Sequence, residues 1–396
     1  MTARLNRAQF LKDVFACALA SYGGPEAHYG IFTKELIEKN EYVSQEELTE
    51  LIGIFSLLPG PSSTQTITAI GYRLGGPRLA LATLAIWVGP ALVIMSLLGL
   101  GLDWISQDKD WQSMLTYLPA AAVAFIFYAA IQLTRKVVQT RENWLIYLAF
   151  TLLAFLTLDL SAWMVLVLLL AGVFVGLFPI LGKVGRELQD IRSQVKPNWH
   201  LIGLLLLLAL VLEGLSRFLG GQFSLFASIY RFGYTVIGGG QIMIPMMIQD
   251  LVDQQAFLSQ GDFLAGYTLD QAVPGPLFSF AAFVATRSLS ASPLWALIWG
   301  ILGGALIFLP GTLLVFFATP LWQEYRKLHY VPFFLKGVSL AVAAIISYTA
   351  LSQISILGWA LDKWLVFLLT TGLLLSKKIP APLIVALVLL AGLLLA

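Results

Sequence analysis

The sequence contains two copies of one glycine- and proline-rich pattern. Gly23-Gly24-Pro25 corresponds to Gly238-Gly239-Gly240, and Pro59-Gly60-Pro61 recurs unchanged as Pro274-Gly275-Pro276, both at a separation of 215 residues. Matches further along the halves, such as Pro90 with Pro310, are 220 residues apart. Self-similarity over this length predicts two related halves. We assign residues 1–181 to the first repeat, residues 182–222 to a linker, and residues 223–396 to the second repeat.

Long apolar segments occur throughout both halves. Hydrophobic residues make up 58% of the chain and charged residues only 12%, about half the charged share of a soluble domain. Several segments reach the roughly 20 residues with which a helix crosses a hydrocarbon core. Alternating barrel-type strands are absent, so helices satisfy the backbone in lipid. The sequence therefore predicts an all-α polytopic membrane protein, with apolar segments at residues 79–102, 118–133, 163–181, 201–212, 293–317, 332–351 and 383–396.

Loop charges predict that the second repeat is inverted relative to the first. The linker contains one extra helix, near residues 199–217, and an odd number of crossings between repeats reverses the orientation of the second. The loop with Arg135, Lys136 and Arg141 is basic, whereas its counterpart near residues 355–363 has no net charge. Two further loop pairs reverse their bias in the same way, which places equivalent loops on opposite sides of the membrane. We expect a cytoplasmic N-terminus and a periplasmic C-terminus.

The four glycine- and proline-rich motifs interrupt helical patterns. In the first half the predicted helical arms are residues 10–22 and 26–39 around the first break, and residues 45–58 and 62–73 around the second. Proline ends the helix before it and suits the first turn of the helix after it. Each pair of arms is therefore either a re-entrant hairpin or one discontinuous span. Basic residues beyond the arms favour hairpins. Irregular backbone at membrane depth is tolerated only where it is buried or lines a cavity.

A helix that restarts after each break presents free N–H groups and a positive dipole end, which favour an anion. A single break is commonly a packing device, but four at matched positions indicate a binding site at the repeat interface. Arg231 lies in an apolar run and is either an anion contact or a snorkelling residue. The candidate substrate contacts are Gly23, Gly24, Pro25, Pro59, Gly60, Pro61, Ser62, Ser63, Gln65, Arg231, Gly238, Gly239, Gly240, Gln241, Pro274, Gly275 and Pro276.

Five further ionisable residues are candidates for coupling or gating. Glu26 and His28 follow the first break directly and could carry a proton, although Glu26 also suits the dipole at a helix start. Asp270 lies one turn before Pro274 and is a candidate proton relay. Arg73 and Arg287 end the arms after the two Pro-Gly-Pro motifs, where they are gating residues or membrane-edge anchors. The many Trp and Tyr residues suit interfacial belts, and we assign them no chemistry.

Several classes of function find no support in the sequence. Cys17 is the single cysteine and the three histidines are scattered, so no metal site and no disulfide is predicted. Nucleotide-binding and hydrolase motifs are absent, so we expect no cofactor, no ATP-driven step, no catalytic residue and no nucleic-acid partner. An intramembrane enzyme would need a paired acid and base beside a cavity, and none stands out. A membrane sensor or scaffold would need a soluble output domain.

At these motifs the sequence resembles the chromate ion transporter family in its long, two-half form. The resemblance rests on the motif at residues 22–25 with His28, the motif at residues 58–61 with Gln65, the second-half glycines with Pro245, residues 263–276, and residues 308–311. It implies a secondary transporter that exports chromate across the inner membrane of a prokaryote. Sulfate is a similar tetrahedral dianion, so a sulfate carrier is the alternative. A homodimer is kept open.

Overall fold

The computed structural model describes residues 6–56, 58–105, 113–156, 170–175, 197–236, 243–289, 292–325 and 331–395. Within these ranges the secondary structure is helical and contains no strand. The all-α fold that the sequence predicted is therefore confirmed. The helices before the second repeat are α1 (Arg7–Ala20), α2 (Pro25–Phe32, continued by a π-helical turn over Thr33–Glu38), α3 (Gln45–Phe55), α4 (Ser62–Ile105), α5 (Leu118–Val137), α6 (Arg141–Leu156) and α7 (Trp199–Leu219).

The helices of the second half follow the same order. They are α8 (Gln222–Thr235), α9 (Met243–Met247, continued by a π-helical turn over Ile248–Gln254), α10 (Gln260–Asp270), a 3₁₀ turn (Leu277–Ser279), α11 (Phe280–Ser288), α12 (Pro293–Leu306), α13 (Phe308–Tyr325), α14 (Val331–Gln353), α15 (Leu361–Ser376) and α16 (Ala381–Leu395). The arms predicted on either side of each break are all helical. The extra helix predicted near residues 199–217 is α7.

The recurring Ser-Gln dipeptide marks a repeated helix start. Ser44 caps α3 by accepting a hydrogen bond from Glu47 N at 3.1 Å, and the Glu47 side chain accepts in return from Ser44 N. In the second half, Ser259 caps α10 by accepting from Asp262 N at 3.0 Å. A side-chain oxygen at this position satisfies a backbone N–H that has no partner inside the helix. The repeat is therefore visible in local hydrogen bonding as well as in sequence.

Five described helical stretches are long and apolar enough to cross a membrane. They are Ser62–Leu102, Ser113–Val137, Trp199–Leu219, Pro293–Leu321 and Lys336–Leu357. Leu205 is the only buried residue of α7, so this helix exposes an apolar surface on nearly every side. Such a surface is suited to lipid and not to water.

The first of these stretches, in α4, is interrupted by a sharp turn. Gly75 and Gly76 leave the helical conformation, and Gly76 has a φ of +74° that glycine adopts without a steric penalty. A side chain on Gly71 would meet Ala80 and Thr83, which lie beyond the turn. Residues 62–74 and 77–105 are thus two arms that run back beside each other.

The chain forms two compact units, each built from segments of both predicted repeats. Unit 1 comprises Met1–Leu97, Glu187–Gly240 and Val273–Leu328, and its core includes fully buried Phe10, Phe32, Phe55 and Trp87. Unit 2 comprises Leu98–Arg186, Gln241–Ala272 and His329–Ala396. Its core surrounds α5, whose buried face carries mostly alanine and valine and therefore allows close helix packing.

In the first half, both pairs of arms fold back as hairpins. Tyr42, which follows the second arm of the first pair, donates to Asp13 Oδ2 at 2.6 Å and packs edge-on against Phe10 near the start of α1. Arg73, at the end of the first arm of α4, pairs with Glu47 near the start of α3 at 2.8 Å. Since the outer ends meet in both pairs, a single discontinuous span is excluded for each. The breaks are the tips of two helical hairpins.

Candidate functional site

The four described break regions of interest all belong to unit 1, and three of their glycines have positive φ. Gly23 has a φ of +90°, Gly60 of +115° and Gly275 of +132°. L-residues rarely adopt these values, so glycine is the residue that turns the chain at each tip. Gly23 and Gly24 are exposed, whereas Gly60 and Gly275 are buried. The first tip of the first half is therefore accessible, and both Pro-Gly-Pro tips lie inside the protein.

Each Pro-Gly-Pro tip is hydrogen-bonded to a helix end in the other half of the chain. Gly60 N donates to Val236 O at 2.7 Å, and Gly275 N donates to Ser21 O at 2.7 Å. Gly60 and Gly275 are 215 residues apart, and so are Ser21 and Val236. The two bonds are therefore repeat-equivalent, and the contact is reciprocal, as at an isologous interface. This pairing relates the two halves by an approximate two-fold axis within unit 1.

A second reciprocal contact lies beside the first. A Cβ on Gly311 would lie 3.5 Å from Pro61 Cδ, and a Cβ on Gly275 would lie 2.6 Å from Ala91 Cβ. Residues 91 and 311 are the 220-residue equivalents that follow Pro90 and Pro310. Each Pro-Gly-Pro tip is thus seated on a helix of the opposite repeat, which requires a small residue at the contact.

The start of α4, directly after the first Pro-Gly-Pro tip, is a buried polar turn. Tyr29 donates to Ser62 Oγ at 3.1 Å, His28 Nδ1 lies 2.9 Å from Ser63 Oγ, and Trp87 Nε1 donates to Thr64 Oγ1 at 3.0 Å. Each hydroxyl retains hydrogen-bonding capacity, since it has one donor and two acceptor sites. The first N–H groups of the helix have no acceptor within it. Backbone and hydroxyl donors therefore coincide at one buried place.

Two polar atoms beside this turn have no hydrogen-bond partner among the described residues. They are His28 Nε2 and Gln65 Oε1, on side chains that are 1% and 2% exposed. The amide nitrogen of Gln65 donates to Pro59 O at 2.8 Å and to Gly311 O at 3.4 Å. Gln65 was predicted as an amide donor to an anion, but here its NH₂ group stabilises the break. Unsatisfied buried polar atoms are costly and indicate a place where a further group binds.

The equivalent turn after Pro276 is apolar. Leu277, Phe278 and Phe280 occupy the positions that correspond to Ser62, Ser63 and Gln65, and Ser279 corresponds to Thr64. Phe278 packs against Phe308, and Phe280 stacks on Phe283. Ser279 Oγ is buried and has no partner among the described residues. The two repeat-equivalent tips therefore offer different chemistry.

The predicted charged residues lie in three kinds of environment. Arg231 pairs with Glu213 of α7 at 2.6 Å and donates to Ser228 Oγ at 3.0 Å. Arg73 is exposed and pairs with Glu47, while Arg287 is half-buried at the end of α11. Asp270 is buried in unit 2. Since Arg231 already has a carboxylate partner, the structure favours a packing role for it over direct contact with an anion.

The described residues do not cover every predicted site. Gly238, Gly239, Gly240 and Gln241 lie outside them, and so does the side chain of Glu26. In the other direction, Tyr29 and Trp87 contact the polar turn although their residue types indicated only interfacial belts. Trp87 is 0% exposed and also packs against His28 and Phe32. Its position 23 residues from Thr64 gave no local signal of the contact.

Long apolar helices, two repeats and buried helix breaks are the architecture of a multi-pass membrane transporter. The sequence profile of the family described as "Chromate transporter" matches residues 8–177 and 223–395, once in each half. The chain therefore belongs to the chromate transporter family.

Curated relatives align along nearly the whole chain. A "Chromate transport protein" of Cupriavidus metallidurans is 28% identical over 378 residues, covering 92% of this chain and 87% of the relative. A "Probable chromate transport protein" of Synechococcus elongatus is 26% identical, covering 94% and 91%. A "Chromate transport protein" of Pseudomonas aeruginosa is 25% identical, covering 87% and 79%. No significant match was found among solved structures.

Proposed function

We propose that this protein exports chromate from the cytoplasm across a prokaryotic inner membrane, as a secondary transporter and not an enzyme. The observation that carries the proposal is the buried polar turn at Ser62–Thr64, set at a hairpin tip that is bonded to the opposite repeat. Relatives named as chromate transport proteins supply the cargo. Backbone N–H and hydroxyl groups at a helix start suit a tetrahedral oxyanion.

The driving force follows from the charge of the cargo. A dianion that leaves a negative interior gains about 4.6 kcal/mol per 100 mV, twice the value for a single charge. Uniport would therefore export chromate without a second ion. Proton coupling would add to this drive, and His28, Glu26 and Asp270 are the proposed carriers of the proton.

We propose that the anion binds against the tips of all four breaks, with the first-half residues Ser62 and Ser63 as the principal side-chain contacts. Gln65 holds Pro59 and Gly311 in place around the site. Alternating access would then move one set of hairpins relative to the other, as in other repeat-based transporters. Arg73 and Arg287 are proposed to act at the membrane edge.

The proposed topology has an inverted second repeat. The repeats comprise residues 1–181 and 223–396, joined by a linker over residues 182–222 that crosses once. Opposite loop charges in the two repeats support this arrangement, and the reciprocal bonds within unit 1 are compatible with it. The N-terminus would be cytoplasmic and the C-terminus periplasmic.

The test is anion flux into inside-out vesicles that contain the full chain, with an imposed membrane potential. Chromate uptake that depends on the protein and resists excess sulfate would support a chromate exporter. Uptake of sulfate, with chromate only as a competitor, would overturn the cargo and favour the sulfate carrier. Because the two dianions have a similar shape, the competition experiment is the part that decides the cargo.

A further inference from the structure

Unit 2 contains a cavity of about 570 Å³ bounded by α5, α6 and α14. Its walls are largely apolar and aromatic, with Phe127 and Ile131 from α5, Trp144 and Tyr147 from α6, and Leu351 from α14. Phe127 and Arg135, both in the lining, are eight residues apart on α5, which corresponds to about 12 Å along the helix. The cavity is thus a groove that follows α5 to its last turn.

The end of this groove near the α5–α6 turn is basic and polar. Arg135 is exposed and lines the cavity, Lys136 follows it, and Arg141 begins α6. Thr134 Oγ1, also in the lining, is buried with no hydrogen-bond partner among the described residues. The groove therefore combines an apolar channel with a cationic mouth and a free hydroxyl.

Hydrogen bonds brace the mouth of the groove. Asn143, which is 3% exposed, donates through Nδ2 to Val137 O at 3.1 Å, and its backbone N donates to Thr140 Oγ1 at 3.2 Å. On the opposite wall, Tyr147 donates to Ser347 Oγ at 2.8 Å and joins α6 to α14. The groove is therefore preformed, which lowers the entropic cost of binding.

We propose that this groove binds an anionic phospholipid. The phosphate is held by Arg135 and Thr134, and one acyl chain lies along Phe127 and Ile131. Basic pockets between membrane helices on the cytoplasmic side bind anionic headgroups, and the α5–α6 turn is on the predicted cytoplasmic side. The cargo oxyanion is a poor occupant, because apolar walls offer no replacement for its hydration. The break motifs of the candidate transport site belong to unit 1, whereas the groove belongs to unit 2.

The experiment measures the melting temperature of the purified full-length protein in detergent, with added phosphatidylglycerol or phosphatidylcholine. A ligand that binds the folded state raises the melting temperature with its concentration. We expect phosphatidylglycerol to stabilise the wild type more than phosphatidylcholine does. Arg135→Gln should weaken the apparent affinity for phosphatidylglycerol about fivefold, equivalent to about 1 kcal/mol for one basic residue. Leu351→Trp should weaken the binding of both lipids, because it fills the groove.

Matched variants separate this site from a general surface effect. Arg141→Gln removes a neighbouring positive charge that does not line the groove, and Leu368→Trp enlarges an exposed leucine on α15. Both should retain the wild-type preference for phosphatidylglycerol. Equal losses in Arg135→Gln and Arg141→Gln, or equal stabilisation by the two lipids, would overturn the proposal. Stabilisation by chromate that disappears in Arg135→Gln would also overturn it and make the groove an anion site.

Discussion

The two Pro-Gly-Pro tips have the same sequence and the same backbone contact but different surroundings. Each contains a buried glycine with positive φ whose N–H bonds to the equivalent helix end of the other half. The first tip leads into three hydroxyl residues that bond to Tyr29, His28 and Trp87. The second leads into Leu277 and two packed phenylalanines. The backbone geometry is therefore retained in both repeats, while the polar chemistry is confined to one.

This difference indicates a division of roles between the tips. A reciprocal backbone contact needs glycine and small neighbours on both sides, whatever the cargo. An anion needs donors, and only the first tip provides several. We infer that the second tip acts mainly as a packed support, and the following variants test this comparison in order of expected effect.

The largest effect is expected at the second tip, from Gly275→Ala. The new Cβ would lie 2.6 Å from Ala91 Cβ on a backbone with a φ of +132°, so overpacking and strain add. We expect a loss of about 2–3 kcal/mol of stability, seen as a lower melting temperature of the purified protein. Gly60→Ala should cost less, because its nearest neighbour is the flexible Gln65 amide at 3.1 Å.

The double variant Gly275→Ala with Ala91→Gly is the control for the contact. It removes the colliding methyl group and recreates the glycine that the first tip already faces at Gly311. Partial recovery of the melting temperature is expected, because only the backbone strain remains. No recovery would show that the contact with Ala91 is not the cause.

The next largest effect is expected in transport, from Ser63→Ala. If Ser63 contacts the anion, losing a hydrogen bond to a charged group costs about 1.5–3 kcal/mol. Chromate uptake into inside-out vesicles should then fall at least tenfold, with an unchanged amount of protein in the membrane. Wild-type uptake in this variant would remove the first tip as the principal contact.

A smaller effect is expected from Trp87→Phe. Phenylalanine keeps the packing against His28 and Phe32 but removes the N–H that donates to Thr64 Oγ1 at 3.0 Å. The expected loss is about 1 kcal/mol of stability, measured as the melting temperature. Trp364→Phe is a matched control, since its exposed N–H donates to Gly358 O and should matter less.

The smallest effect is expected from Ser279→Ala, at the position equivalent to Thr64. The hydroxyl is buried without a described partner, so its removal should change the melting temperature by less than about 0.5 kcal/mol in equivalent stability and leave uptake near the wild-type level. A strong loss of uptake in this variant would contradict the division of roles and assign anion contact to both tips.

The helices and their breaks could be predicted because the signals are local. Proline lacks an N–H, glycine turns the chain at positive φ, and Ser44 and Ser259 cap the helices that follow them. Family membership was equally visible, since the motifs recur in both halves. The inversion of the second repeat and the contacts of the anion stay predictions.

The sequence by itself determined that this protein is helical, membrane-spanning and built from two repeats, because apolar length, helix caps and helix breakers act within a few residues. Only the tertiary structure decided that the first-half arms are hairpins, that Gly60 bonds to Val236 while Gly275 bonds to Ser21, and that Arg231 pairs with Glu213. These contacts join residues up to about 250 positions apart. They depend on how buried surfaces meet, and no local pattern encodes that choice.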